Sequence, residues 1–281
     1  RGSGGFLDPG KCAAGRDRRM KNQFGKTSEL RITAEGTEGR TRLADVYFTA
    51  PFKVMEPFSL KGGLQVMLLS ASAGVMAGDE QKFSFLVKEG SHLEFISQSF
   101  EKIHRMEEGC ARRKMEVTVE RGASFDFYPQ PTIPFGGSAF ERETSVTLMD
   151  ETSRFGMYEI ISCGRCAHGE QFRYQFYRSL IRIWRNGELI YRDNTRYEPD
   201  CMQMDGLGMY ESYTHLANIF LTGNRITEEE TQEKIRDLLG KTPDVEGALS
   251  TLEYGDAAIR ILGKRAQTLQ RLTEKIKEIA G

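Results

Sequence analysis

Three features of the chain predict a mainly β fold. Apolar and polar residues alternate with period two over most of the stretch from Leu30 to about Leu221. Turn-forming dipeptides recur at the spacing of about eight to twelve residues that marks sandwiches, barrels and strand-stacked solenoids. Helical periodicity is confined to the last sixty or so residues. The expected architecture is a single strand-rich body, β-helical or built of stacked sheets, with two α-helices near the C-terminus. No fixed sequence repeat chooses among these arrangements.

The expected strands are Leu30–Ile32, Leu43–Phe48, Leu64–Ser70, Lys82–Val87, Ser91–Ser97, Lys114–Glu120, Ser124–Tyr128, Glu143–Leu148, Phe155–Ser162, Gln171–Trp184 and Glu188–Arg192. Phe83, Phe85 and Val87 fall on one face of their strand, as do Met115, Val117 and Val119 on theirs. Glu89-Gly90, Arg121-Gly122, Gly136-Gly137 and Asn186-Gly187 supply residues that accept positive φ. Asn186-Gly187, between Ile183 and Ile190, is the clearest hairpin signal. Near the C-terminus, Thr227-Glu228-Glu229-Glu230 reads as a capping box; Ile235, Leu238 and Leu239 share a face, and Gly240 ends the run. A hairpin is expected around Tyr254-Gly255-Asp256. A second amphipathic helix follows, carrying Leu269, Leu272, Ile276 and Ile279. The helices are expected over about 227–239 and 265–279, their apolar stripes packed on the β body or, as the alternative reading, on a partner.

Size and charge narrow the function classes. At 281 residues the chain can bury a large core, and its formal net charge of −1 gives no field to hold nucleic acid. No run of about 18 apolar residues occurs, so no membrane span is expected. Five cysteines without a regular framework suit a reducing, cytoplasmic compartment. Residues 1–19, rich in Gly, Arg, Asp and Ala, read as a non-native or disordered leader, with Met20 the expected start and 20–281 one domain.

The densest set of reactive side chains is Cys163-Gly164-Arg165-Cys166-Ala167-His168-Gly169-Glu170. Two thiols and an imidazole at this spacing form a donor set for nickel, zinc or copper once deprotonated. A closed zinc site draws a second ligand pair from elsewhere, yet Cys12, Cys110 and Cys201 stand singly. Two readings therefore remain: a stand-alone metal-binding module at Cys163, Cys166 and His168, or two small buried hydrophobes with a surface histidine. The chain lacks a phosphate-binding loop, a dinucleotide-binding glycine fingerprint, a G-x-S-x-G elbow and an H-E-x-x-H helix. The remaining enzymatic reading is a β-rich hydrolase using paired carboxylates from among Asp79, Asp126, Glu159 and Glu170.

Five segments, in order, resemble the urease accessory protein family UreD, called UreH in some bacteria. They are Gly74 to Asp79, the run Ser97-Gln98-Ser99-Phe100-Glu101-Lys102-Ile103-His104, Ile133-Pro134-Phe135, Gly164-Arg165-x-Ala167-x-Gly169-Glu170, and Tyr210 to His215. The resemblance runs from about Ser28 to the C-terminus. It implies a strand-rich fold with a helix pair and an internal tunnel for nickel. It also implies a nonenzymatic, cytoplasmic nickel-insertion chaperone that bridges apo-urease to UreF, which recruits the GTPase UreG. Nickel is then transient cargo, with no tightly bound cofactor, no nucleic acid and no membrane. Within the matched motifs, Gly78 permits a turn, and Asp79 is either a tunnel or interface carboxylate or a turn residue satisfying local amides. Arg165 and Glu170 form an ion pair, or Glu170 stands in the metal path, with Gly169 completing the motif. Glu101, Lys102 and His104 shape a junction between strands. The family pattern does not require Cys163, Cys166 or His168.

Overall fold

The computed structural model describes residues 25, 27–37 and 39–281. The leader expected over 1–19, with Cys12, and the start at Met20 lie outside the described residues. β1 (Thr27–Thr37) and β2 (Arg40–Phe48) form an antiparallel pair that begins one sheet. β3 (Phe52–Val54), β4 (Phe58–Leu60) and β5 (Gly63–Ser70) begin the other. From there the chain alternates between sheets. β6 (Glu80–Val87) pairs parallel with β1, and β7 (His92–Ser97) pairs parallel with β5, followed by the short β8 (Glu101–Ile103). β9 (Ala111–Val119) returns to lie parallel to β6, and β10 (Ser124–Tyr128) to lie parallel to β7. β11 (Thr132–Pro134) then runs parallel to β8. β12 (Ala139–Leu148) adds to β9, and β13 (Arg154–Ser162) to β10. Each circuit thus lays one strand on each sheet, the winding of a β-helical, stacked-sheet body.

A small ladder of β14 (Gly164–Arg165) and β15 (Glu170–Gln171) leaves the end of β13. β16 (Phe176–Arg185) then pairs parallel with β12, and β17 (Glu188–Tyr197) turns back antiparallel. Asn186 (φ 51°) and Gly187 (φ 81°) make that turn, as their sequence predicts. The first sheet therefore reads β17-β16-β12-β9-β6-β1-β2. The second is extended antiparallel beyond β13 by β18 (His215–Leu221), β19 (Val245–Thr251) and β20 (Ala257–Gly263), the last two joined through the expected hairpin.

The aromatic faces of the strands meet between the sheets. Phe83, Phe85, Phe95, Phe125, Phe127 and Phe155 are buried there. Phe85 and Phe125 lie 4.9 Å apart, and Phe95 stacks on Phe127 at 5.1 Å. β13 is buried on both faces because Tyr158 and Ile160 point away from this core to a second one under the helices.

Among the described residues there are three helices: α1 (Asn224–Thr227), α2 (Glu229–Lys241) and α3 (Ala266–Ala280). Ile235 and Leu239 of α2, with Leu269, Leu272 and Ile276 of α3, bury the expected stripes on Ile219 and Ile259 of the sheet. The second helix does not start from the expected N-cap. Thr227 closes α1, Glu228 takes the extended N-cap position without a side-chain cap bond, and Glu230 pairs forward with Lys234 Nζ at 2.6 Å. Gly240 lies inside α2, which runs one residue further. The strand expected over Gln171–Trp184 is split because Phe172 adopts φ 52°, outside the extended region.

Candidate functional site

A cavity of about 130 Å³, lined by both apolar and charged side chains, lies beside the aromatic core, between the sheets. Two arginine–carboxylate forks face it. Arg113 of β9 donates through Nη1 to Glu101 Oε2 at 3.0 Å and through Nη2 to Glu101 Oε1; its Nε reaches Gln81 Oε1 at 2.9 Å. Its guanidinium also lies 4.7 Å from the Phe83 ring centroid. Thr132 Oγ1 adds a long bond of 3.5 Å to Glu101 Oε2. Arg142 of β12 donates through Nη1 to Glu159 Oε1, through Nη2 to Oε2 at 2.5 Å, and through Nε to Ser179 Oγ at 2.8 Å. Burial pushes the neighbouring Tyr177 hydroxyl well above its ordinary range, so it stays protonated.

The two forks balance in charge, Lys102 adds a third cation to the lining, and among the described residues neither His nor Cys lines the cavity. Bidentate geometry holds each carboxylate in place. A hard, hydrated divalent cation finds carboxylate and hydroxyl donors there, with no soft donors to trap it. The described lining residues therefore supply no imidazole to pair with a serine or cysteine nucleophile. Asp79, Asp126, Glu159 and Glu170, the carboxylates open to a glycosidase-like reading, each sit with a separate set of partners.

The other motif residues build the surroundings. Gly78 (φ 79°) forms the turn into β6; Asp79 Oδ2 accepts the Met76 amide at 2.8 Å, and Asp79 O accepts that of Arg112. Asp79 thus closes its own turn. The Val75 amide donates to Lys102 O at 2.8 Å, and Val75 O accepts the His104 amide at 2.9 Å. His104 Nε2 lies 3.0 Å from Ala73 O, with its ring edge-on to Phe135. This is the expected junction between strands, and it also delivers Glu101 into the cavity.

The Gly164–Glu170 segment is a strapped hairpin. Arg165 donates through Nε to Glu170 Oε2 at 2.8 Å and through Nη2 to Oε1, and the Gly136 amide reaches Oε2 at 3.0 Å. These bonds, led by Arg165, pull the Glu170 carboxyl down to about 2. Arg165 also covers the Phe135 ring at 4.2 Å. A Cβ on Gly164 would lie 2.0 Å from Glu170 O, so the ladder closes only around glycine. Cys166–His168 form a 3₁₀ turn, capped by Gly169 at φ 70°. Cys163 is fully buried and His168 exposed. Among the described residues, no three His, Cys, Asp or Glu side chains are grouped to hold a metal ion.

Arg113, Arg142 and Gln81 were not singled out from the sequence. A signal was nevertheless present. Glu159 is the sole charge in the apolar run Gly156-Met157-Tyr158-Glu159-Ile160-Ile161, and a charge on a strand buried on both faces requires a buried partner.

Fold and cavity together define a coiled, two-sheet β scaffold with a charged interior and a helix pair on its outer face. The sequence matches the family described as UreD urease accessory protein over residues 26–280. It is 40% identical over 263 residues to the urease accessory protein UreD of Acetivibrio thermocellus, covering 92% of this chain and 99% of the relative. It is 36% identical over 257 residues to the urease accessory protein UreH of Helicobacter pylori, covering 91% and 95%. A more distant relative, the urease accessory protein UreD of Flavobacterium johnsoniae, is 27% identical over 89% of this chain and 91% of its own length. The chain belongs to the UreD urease accessory protein family. That family is one of accessory proteins acting in urease maturation rather than of catalysts. No helix among the described residues is long and apolar enough to cross a membrane.

Proposed function

We propose that this chain is a cytoplasmic nickel-insertion chaperone. It binds apo-urease and scaffolds a UreF-type protein, through which a UreG-type GTPase joins the complex. The observation that carries this reading is the family match, which spans the whole body of the fold rather than one motif. The cavity supports it chemically. Glu101 and Glu159, with the Thr132 and Ser179 hydroxyls, offer oxygen donors along the interior, while Arg113 and Arg142 compete for the carboxylates. A cation passing there is bound only as strongly as it displaces a guanidinium, which favours transit over storage. Nickel is thus cargo, and the phosphate chemistry belongs to the partner GTPase.

The test is co-expression with a UreF-type protein and urease. This chain is expected to co-purify in a stoichiometric complex with both. Recovery of the folded chain alone, with both partners soluble in the same extract, would sink the assignment.

A further inference from the structure

The strapped hairpin holds two thiols in a geometry that neither the cavity nor the ion pair uses. Cys163 Sγ and Cys166 Sγ lie 3.4 Å apart. The backbone sets that distance from both sides. The Cys163 amide donates to Thr214 O at 2.7 Å, and Cys163 O accepts the Phe172 amide at 2.6 Å. Gly169 N donates to Cys166 O at 3.1 Å, closing the 3₁₀ turn that carries the second thiol. The two sulfurs also differ in access: Cys163 is fully buried and Cys166 half-buried. Cys110 is buried and Cys201 is exposed, and both lie outside the Cys163–Cys166 pair.

A disulfide needs the sulfurs at about 2.05 Å, so the pair must close by roughly 1.4 Å, within the reach of side-chain rotation. A metal role is less well supported. Two sulfurs without a third donor do not make a tetrahedral site, and His168 stands exposed outside the pair.

We propose that Cys163 and Cys166 are a reversible dithiol–disulfide modification site, oxidised by low-molecular-weight disulfides. The accessible Cys166 thiolate attacks one sulfur of the small disulfide, forming a mixed disulfide and releasing the first small thiol. Cys163 then gives its proton to the second leaving sulfur and attacks Cys166 Sγ, expelling that sulfur as a thiol. Two protein thiols and one small disulfide become one protein disulfide and two small thiols. Burial, reinforced by the neighbouring Cys166 sulfur, pushes the Cys163 thiol above its ordinary range. Cys163 is therefore the resolving sulfur rather than the attacking one. The closed ring spans only four residues, so the bond adds little stability and acts as a local modification. Its position gives it a route to the interior, because Ile161, two residues before Cys163, lines the cavity.

The test uses the full chain, reduced and then treated with oxidised glutathione. Intact mass and non-reducing peptide maps are recorded. In the wild-type chain the peptide holding Cys163 and Cys166 is expected to lose two hydrogen atoms, to carry the bridge and to return to the dithiol with dithiothreitol. Cys163→Ser is expected to retain a glutathione adduct on Cys166, while Cys166→Ser retains none at Cys163. A wild-type chain that keeps a stable glutathione adduct on that peptide without the bridge overturns the proposal. So does bridging through another cysteine, or alkylation of both thiols at an unchanged rate. The wild-type measurement decides even if a variant fails to fold.

Discussion

Replacing Glu159 by Ala removes one half of a buried fork and leaves the other half in place. The Arg142 and Glu159 side chains are 11% and 10% exposed, so the remaining guanidinium stays largely enclosed, retaining its bond to Ser179 Oγ. Removing one partner of a buried pair costs about 3–5 kcal/mol. Water from the adjoining cavity solvates part of the orphaned charge, which places the expected loss near the lower limit, about 3 kcal/mol. Replacing both partners, Arg142→Met with Glu159→Leu, exchanges the pair for apolar volume and is expected to fall within about 1 kcal/mol of wild type. Urea unfolding followed by fluorescence of Trp184, the single tryptophan, reads both quantities. A loss below about 1 kcal/mol in the single variant would refute the reasoning, as would a double variant no more stable than the single one. The double variant also separates fold from function: urease activation is expected to fall while stability holds, because two interior carboxylate oxygens are gone.

Acid stability provides a second prediction. Burial lowers the His215 pKa to about 4, so between there and its ordinary value near 6.5 the folded imidazole is neutral while the unfolded one is charged. The unfolded state then binds more protons, and stability falls as pH drops through that window, by about 3 kcal/mol from this group. His215→Gln is expected to flatten the decline in the urea midpoint; an unchanged slope would reject the assignment. Gly164→Ala places a Cβ 2.0 Å from Glu170 O at φ 133°, and is expected to cost at least about 2 kcal/mol and to open the Arg165–Glu170 strap. An unshifted thermal midpoint contradicts that. Phe85→Ala, at a site 1% exposed between the sheets, is expected to cost about 3–5 kcal/mol, whereas Phe58→Ala, at 56%, stays within about 0.5 kcal/mol. Equal losses at the two positions would mean that the aromatic core is misplaced.

The sequence was most legible where one residue's environment repeats every second position. Phe83, Phe85 and Val87 announce an inward face, and Asn186-Gly187 announces a turn that forms at those residues. Pairing partners were not legible, because period two states which face is buried and is silent on which strand lies alongside. The parallel coil of β6, β9, β12 and β16 therefore emerges only in three dimensions. Short strands such as β8 and β11 were missed because three residues carry no periodicity. The N-cap of α2 falls at Glu228 rather than Thr227, a shift of one residue that the Thr-x-x-Glu pattern does not fix, and Glu230 pairs with Lys234. In the site, the Arg165–Glu170 pair was legible as a local motif. The forks of Arg113 and Arg142 join residues 12 and 17 positions apart, on strands whose proximity the sequence does not state.

The most direct test of the central claim is the nickel content and activity of urease matured with the remaining accessory proteins, with and without this chain, under limiting nickel. Urease is expected to be nickel-loaded and active only when the chain is present. Equal loading in both cases would contradict the chaperone assignment.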